Sequence, residues 1–375
     1  MGIMEDAIDR SRVGEPAPWF YSKTVNNPRY VFDTIAGRVV VLCFFGSLAS
    51  PAGQRAQHLL AAHRRTFDGE HVLFLGVGNE PSEAAQLRSD MPGFAFLHDF
   101  DQSVARLFGV AGSDRHDSSH SFCPSWIVID RGLTIRAVIP MRDDGSDGSL
   151  MLEAVAELRQ ASRFGDRQAP IIELSGVFEP ALCQRLIDLH QLDGGTESGF
   201  MREIDGRTVL VHDRGHKRRR DCVVVDGQLI NEMRDRIARR VLPHIKRVFQ
   251  FEATRMERYL VGCYTSEEQG HFRPHRDNTT RGTAHRRFAI SLSLNDGFEG
   301  GELCFPEYGA RRYRAPPGSA IVFSCSLLHG VTPVSAGRRY VFLPFLYDEA
   351  AASVRLANER CLEPAAAPRE TLQTG

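Results

Sequence analysis
No apolar run in the 375 residues approaches the roughly 18 that a membrane-spanning helix needs, so no such helix is expected. No sign of charge predominates. Lys and Arg number 46 against 47 Asp and Glu, a net of −1, so no global field draws in nucleic acid or an anionic membrane. Cysteine is thinly spread. Cys43, Cys123, Cys183, Cys222, Cys263, Cys304, Cys325 and Cys361 stand singly, which argues for reduced thiols in a cytosol rather than a disulfide framework. Met1 to Arg12 is polar and mixed in charge, without a signal-peptide core, so a cytoplasmic protein with a short tail at 1–12 is expected. The remaining composition is that of a soluble globular chain, long enough for two or three domains that each bury a core.

In the first half, Val39 to Phe45 and Val72 to Val77 are continuous apolar runs of strand length, as in strands buried on both faces. Helical patterns are predicted over Gln54 to Phe67, Ser82 to Arg88 and Met151 to Phe164, with Phe94 to Asp99 and Val104 to Val110 between them. Pro124 to Asp130, a turn at Arg131-Gly132, and Thr134 to Ile139 read as a hairpin. Strands alternating with helices mean an α/β layer fold.

On those residues, 13–164 resembles a thioredoxin/peroxiredoxin-type domain, in particular through the first strand and its turn, Asp99 to Val110, and Cys123-Pro124-Ser125, where such folds place a cis-proline. The active-site turn departs from the family. Thioredoxins have Trp-Cys-x-Pro-Cys there; this chain has Leu48-Ala49-Ser50-Pro51-Ala52, and no threonine-x-x-cysteine peroxidatic motif. Thiol–disulfide and peroxide chemistry both need a thiolate at that helix N-terminus, and alanine cannot supply one. Cys43 lies in an apolar strand and reads as a small buried hydrophobe; Cys123 could approach the vacant turn but reads as structural too. A redox-inactive domain is expected, kept for packing, for homodimerisation or for contact with a protein partner.

A polar stretch at 165–170 marks the boundary of a second domain, 171–350. Ile171 to Leu174 reads as a strand, Pro180 to Leu192 as a helix with one core face, and Asn231 to Phe249 as another. His212 to Asp221, with Lys217-Arg218-Arg219-Arg220, reads first as a solvated loop and, more sharply, as recognition of an acidic substrate. His285-Arg286-Arg287 likewise reads as a solvated loop. From Arg255 the pattern changes to short strands: Met256–Gly262, Phe288–Leu294, Glu302–Phe305, Ala320–Phe323 and Arg339–Phe345, separated by Gly, Pro or Asn as in a double-sheet jelly roll. A tail from 351 to 375 looks disordered.

Chemistry concentrates between Tyr264 and Tyr347. His275-x-Asp277 alone is a weak signal; with His329 it makes two imidazoles and one carboxylate. That set occupies one face of a six-coordinate ferrous ion and leaves positions open, whereas a closed zinc site would use more sulfur or histidine. Arg339 follows His329 by ten residues and opens the next strand, where its guanidinium could hold a carboxylate in a fork. Arg338, by alternation, must point the other way.

With these residues and Glu299-Gly-Gly-Glu-Leu303, Pro274, Asn278 and Thr332-Pro333-Val334, 170–347 resembles the 2-oxoglutarate/Fe(II)-dependent dioxygenases, in their prolyl 4-hydroxylase-like branch. The resemblance implies a double-stranded β-helix with flanking helices, iron on His275, Asp277 and His329, and 2-oxoglutarate chelated to it with a carboxylate on Arg339 and Tyr264. It also implies dioxygen as co-substrate, with ascorbate as an optional further cofactor. The reaction implied is hydroxylation of an unactivated C–H bond with release of succinate and CO2. The prime substrate stays open: a small molecule, an amino acid or a peptidyl side chain such as proline. Oxidative demethylation of nucleic acid or protein is the enzymatic alternative, supported only by Lys217–Arg220. A non-enzymatic sensor or scaffold is the third reading, and the complete ligand triad counts against it.

Overall fold
The apolar run Val39–Gly46 is the central strand of a five-stranded sheet. It pairs in parallel with Val72–Gly78, which pairs in turn with Phe94–His98; on its other side lie Ser125–Ile129 and Ile135–Pro140, both antiparallel. Both central strands are buried along their whole length because each face is covered. The helices Pro51–Ala62 and Ser146–Ala161 supply Ala56, Leu60, Met151 and Val155 to one face, against Val41, Cys43 and Val128. Phe32, Phe44 and Phe108 pack together on the other. The structure is a computed structural model that describes residues 12–87, 93–112, 122–161 and 167–362. Two compact units emerge: 1–168 with 306–311, and 169–305 with 312–375. Most of the expected 1–12 tail, residues 165 and 166 of the expected linker, and 363–375 lie outside the described residues.

Two expectations for the first unit need correction. Among the described residues no peptide bond is cis. Cys123–Pro124 keeps the intrinsically preferred trans form, with the Cys123 N–H donating to Val110 and the Pro124 carbonyl accepting from Met141. The expected helix at Ser82 to Arg88 is a single 3₁₀ turn, Pro81–Glu83, with Arg88 outside the described residues. The side chain of that turn is committed elsewhere. Glu83 is buried and accepts from Ser47 Oγ at 2.6 Å, Leu48 N at 2.6 Å and Ala49 N at 3.2 Å. The turn that lacks cysteines thus has a carboxylate built onto its amides. Burial alone would raise the Glu83 carboxyl; the three donors win and hold it below the ordinary value.

The second unit is built on two large antiparallel sheets, beside two two-stranded pairings. Nine strands form the larger: Arg255–Glu257, Phe345–Tyr347, Phe288–Ser293, Arg338–Phe342, Leu260–Thr265, Arg220–Val223 and Thr196–Glu197 in a row, with Ala320–Ser324 and then Ile172–Leu174 branching from Phe288–Ser293. Five form the smaller: Lys217–Arg218, His271–His275, His329–Val331, Leu303–Cys304 and Arg312–Tyr313. The sheets stay open, and no closed barrel forms among the described residues. Period-two alternation divides each long strand. Val261, Cys263, Ile290, Leu292, Val322, Tyr340 and Phe342 face the helices Pro180–Asp193, Gly227–Arg240 and Leu242–Phe249, meeting Leu186, Met233, Ile237 and Ile245. Their alternates, Tyr264, Ser291, Ser293, Ile321, Phe323 and Arg339, therefore turn to the opposite face.

Three further expectations change here. Lys217–Arg220 is not a solvated loop but parts of two strands, with Lys217 and Arg219 buried. His285 is buried as well, because Glu257 supplies an acceptor. The tail begins as a helix, Glu349–Asn358, capped by Asp348; its Arg355 reaches Glu257 and the Tyr347 hydroxyl. A hairpin of Phe200–Ile204 and Arg207–Val211 had no clear signal in its mixed composition.

Both tryptophans, Trp19 and Trp126, lie in the first unit, so tryptophan fluorescence reports its unfolding alone. In urea, Glu83→Ala is expected to cost this unit about 1–3 kcal/mol by orphaning three donors. Because the Glu83 carboxyl is depressed, its contribution is complete above the ordinary carboxylate range and fades as pH falls below it. Equal urea midpoints for wild type and E83A at pH 7 would refute this.

Candidate active site
The open face of the larger sheet and the inner face of the smaller one meet around His275, Asp277 and His329, whose candidate ligand atoms all lie within 4.8 Å of one another. His275 and His329 are directly opposed across their strands. Asp277 Oδ1 lies 3.5 Å from His275 Nε2, and Oδ2 lies 3.3 Å from His329 Nε2. Each imidazole donates Nδ1–H to the backbone carbonyl two residues before it, Arg273 at 2.9 Å and Leu327 at 3.0 Å. A carbonyl can only accept, so Nδ1 carries the proton and both Nε2 lone pairs turn inward. Burial, followed by the neighbouring His329, pushes His275 down to about 4, the neutral form that a metal needs. Burial alone would raise the Asp277 carboxyl, but His329 and His275 bring it below the ordinary range. Two imidazoles with Nε2 turned inward and a carboxylate on one side of a shared centre fit ferrous iron.

The larger sheet adds a candidate anion site. Tyr264 and Arg339 are paired across neighbouring strands and so share a face; the Arg339 guanidinium carbon lies 5.2 Å from the centre of the Tyr264 ring. Arg339 is buried, whereas Arg338 points outward. Arg339 Nη2 donates to Ser291 Oγ at 3.1 Å, but Nη1 is buried without an acceptor. A small cavity lies against it, bounded by Ser291, Ser293, Gly301, Leu303 and Arg314. An unmatched guanidinium N–H at a cavity is the donor half of a carboxylate site. The Glu299 to Leu303 turn makes room for it. Gly300 and Gly301 are both left-handed; a Cβ on the first would stand 2.1 Å from the Pro333 carbonyl and on the second 3.1 Å from Arg339 Cδ.

The strand alternation that governs Arg338 and Arg339 also acts on the basic run. Arg218 and Arg220 turn outward onto backbone carbonyls of Arg214, Glu268, Gly194 and Gly195. Lys217 turns inward, donates to Gly199 O at 2.7 Å and lies 4.6 Å from the centre of the Phe272 ring. Burial pushes its ammonium well below the ordinary lysine value. Arg219 is clamped by Asp221, Nε to Oδ1 at 2.5 Å and Nη2 to Oδ2 at 2.7 Å, and reaches the Tyr264 hydroxyl. Near His275, His216 packs 4.4 Å from Phe200, and burial lowers it to about 4. Behind the triad, His285 and Arg286 converge on Glu257 and hold its carboxyl down at about 2, although burial alone would raise it. The only sequence signal for Lys217 and Arg219 was their spacing of two within a run of like charge.

Residues 259–347 match the 2OG-Fe(II) oxygenase superfamily. A PKHD-type hydroxylase of Polaromonas sp. (strain JS666) is 31% identical over 169 residues, 42% of this chain and 68% of that protein. The chain belongs to the 2OG-Fe(II) oxygenase superfamily, in company with PKHD-type hydroxylases. A PKHD-type hydroxylase of Synechococcus sp. (strain CC9605) is 39% identical over 71 residues, 18% of this chain; the chain spans 32% of that relative's length. Among solved structures, a prolyl hydroxylase from Trichoplax adhaerens, in complex with a hypoxia inducible factor peptide fragment, aligns at 15% identity. That alignment covers 53% of this chain and 96% of the other, with a TM-score of 0.40.

Replacing His275 or Asp277 by Ala is expected to abolish stoichiometric Fe(II) binding under anaerobic conditions while the far-ultraviolet circular dichroism stays native. Retention of one tightly bound iron per chain in both variants would place the metal elsewhere.

Proposed function
We propose that the chain is an Fe(II)- and 2-oxoglutarate-dependent hydroxylase of the prolyl-hydroxylase type. Its substrate would be an unactivated C–H bond of a small molecule, an amino acid or a peptidyl side chain, with succinate and CO2 as co-products. The observation that carries the reading is the buried, acceptor-less Nη1 of Arg339, in the same unit as a complete His-Asp-His set. A dicarboxylic co-substrate supplies the missing acceptor, and a metal supplies the missing occupant of the triad.

Iron, when bound, would supply dioxygen activation coupled to oxidative decarboxylation of 2-oxoglutarate. The chain's own residues do the rest. His275 and His329, locked by Arg273 and Leu327, present their Nε2 lone pairs without rotating. Asp277 contributes the one anionic ligand, oriented by its backbone N–H on Cys325 O. Arg339 would fork onto a co-substrate carboxylate, with Ser291 holding the guanidinium in plane. Phe272, Phe305 and Phe323 line the imidazoles, 3.5–6.4 Å between ring centres, and would shield the reacting centre from water on that side.

For the first unit we propose a thioredoxin-like fold without redox chemistry. Its turn has Ala49 and Ala52 where thiols would stand, and the Glu83 carboxylate occupies the turn's amides. Cys43 and Cys123 are buried, and burial raises both thiols above the ordinary value, away from thiolate character.

Anaerobic addition of Fe(II) and 2-oxoglutarate is expected to give the weak visible absorption of the iron chelate. Arg339→Ala should need about 10–100-fold more 2-oxoglutarate, the equivalent of a charge-assisted contact of about 1.5–3 kcal/mol. Absence of the band in folded wild-type protein would sink the oxygenase reading.

A further inference from the structure
Tyr264 is almost completely buried, and its hydroxyl stands between two guanidiniums. Arg219 Nη1 donates to it at 3.3 Å, and the Arg219 guanidinium carbon lies 5.6 Å from the ring centre; Arg339 lies 5.2 Å from the same ring centre. A guanidinium has five N–H donors and no acceptor. Neither arginine can take the Tyr264 hydroxyl hydrogen, and no other described side chain accepts it. A buried phenol with its oxygen already used as an acceptor has its proton left for a ligand. A hydroxyl that accepts from a cation also donates more strongly, since hydrogen bonds in series polarise one another.

The cation behind this arrangement is fixed. Asp221 holds Arg219 through both oxygens, Ser198 Oγ donates to Asp221 Oδ2 at 2.5 Å, and Arg219 Nη2 reaches Ser198 Oγ at 3.2 Å. Asp221 lies below the ordinary carboxylate range: burial opposes this, and Arg219 outweighs it. Gly262 completes the seat. A Cβ there would stand 2.9 Å from Arg219 Cδ and 3.0 Å from Nε, so the strand passes under the arginine only as glycine.

We propose that Arg219, held by Asp221 over Gly262, is a positioning residue that fixes the Tyr264 hydroxyl as a hydrogen donor to an anionic co-substrate held by Arg339. This rests on the reading of Arg339 as the 2-oxoglutarate anchor. It assigns a role to the one inward arginine of the basic run, through Tyr264 and without contact to the reacting atoms. The charge of Arg219 is spent on Asp221, so its effect on the ligand is directional.

The test uses the full chain with Fe(II) and reads the 2-oxoglutarate dissociation constant from the anaerobic chelate band. Arg219→Gln with Asp221→Asn removes both charges at once, so no buried ion is stranded; Gly262→Ala displaces the arginine while keeping both charges. Tyr264→Phe is expected to weaken 2-oxoglutarate about tenfold, and each of the other two variants about three- to tenfold. Either change placed on top of Tyr264→Phe should add nothing. A multiplicative loss in the combined variants, or no loss in the charge-neutral pair, overturns the proposal. A second readout needs no co-substrate. In the Raman difference between wild type and Tyr264→Phe, the tyrosine doublet should report a phenol that accepts a hydrogen bond. That signature should vanish in the charge-neutral pair; its persistence there, or its absence in wild type, overturns the proposal. A missing chelate band would count against the iron reading, and the Raman result would still decide the role of Arg219.

Discussion
Charge buried between two sheets has to be neutralised, and the interior of the second unit is arranged around that requirement. Asp221 matches Arg219, and Glu257 matches Arg286 and His285. These pairs are internal to the fold, and removing one partner would strand the other at a cost of about 3–5 kcal/mol. Arg339 is different. It donates to a serine hydroxyl, and its buried Nη1 has no acceptor among the described residues. Asp277 lies between two imidazoles whose orientation is fixed by backbone carbonyls. The groups left incompletely matched are the ones that a dianion and a cation would complete. Stability has been given up at these two places, and both belong to the proposed co-substrate and metal sites.

The outline of this arrangement was legible in the sequence because it is written in short-range spacing. The ligand chemistry of His275-x-Asp277 with His329 and the ten-residue step to Arg339 could be read from residue type and spacing, and the opposed directions of Arg338 and Arg339 follow from strand alternation. The glycine pair in Glu299 to Leu303 reports a backbone that only glycine follows. Burial of the basic run was not legible, since a block of like charge is solvated in most proteins. What reverses the outcome is mostly distant in sequence: beyond the nearby Asp221, Tyr264 for Arg219, Gly199 for Lys217, and the strand His271–His275 that pairs with Lys217–Arg218. The same holds for His285, whose acceptor Glu257 and whose neighbour Tyr347 come from other strands. The helix Glu349–Asn358 was overlooked because its alanine-rich sequence carries only a weak apolar stripe, and its anchoring contact is Arg355 on Glu257.

The first unit has a comparable constraint at its strand-to-helix turn. A strand-to-helix turn concentrates unpaired amide N–H groups, which favour an anion. With alanines at 49 and 52 the turn has no side-chain anion of its own, and Glu83 brings one from more than thirty residues away. The turn is thereby satisfied from within the unit. Its amides are not free to lower the pKa of a thiol, so placing a cysteine at 49 or 52 would set a thiolate against a carboxylate already in place.

The geometry of the proposed metal site depends on one extra residue. Along the smaller sheet, Phe272 is opposite Val331 and His275 is opposite His329, so Arg273 and Pro274 stand where the partner strand has only Gly330. In a regular strand, residues three apart point to opposite faces. The bulge cancels that inversion and puts Phe272 and His275 on the same face, their rings 3.5 Å apart at centre, with His275 directly opposite His329. Pro274 suits the position because a bulge leaves one residue without a ladder partner, and proline has no N–H to leave unsatisfied. Gly330 suits the facing position because a Cβ there would stand 3.0 Å from the Phe272 carbonyl. Deleting Pro274 would restore the ladder and turn either Phe272 or His275 out of the site. The bulge therefore places the first proposed metal ligand, and the spacing of two to Asp277 carries the second from there.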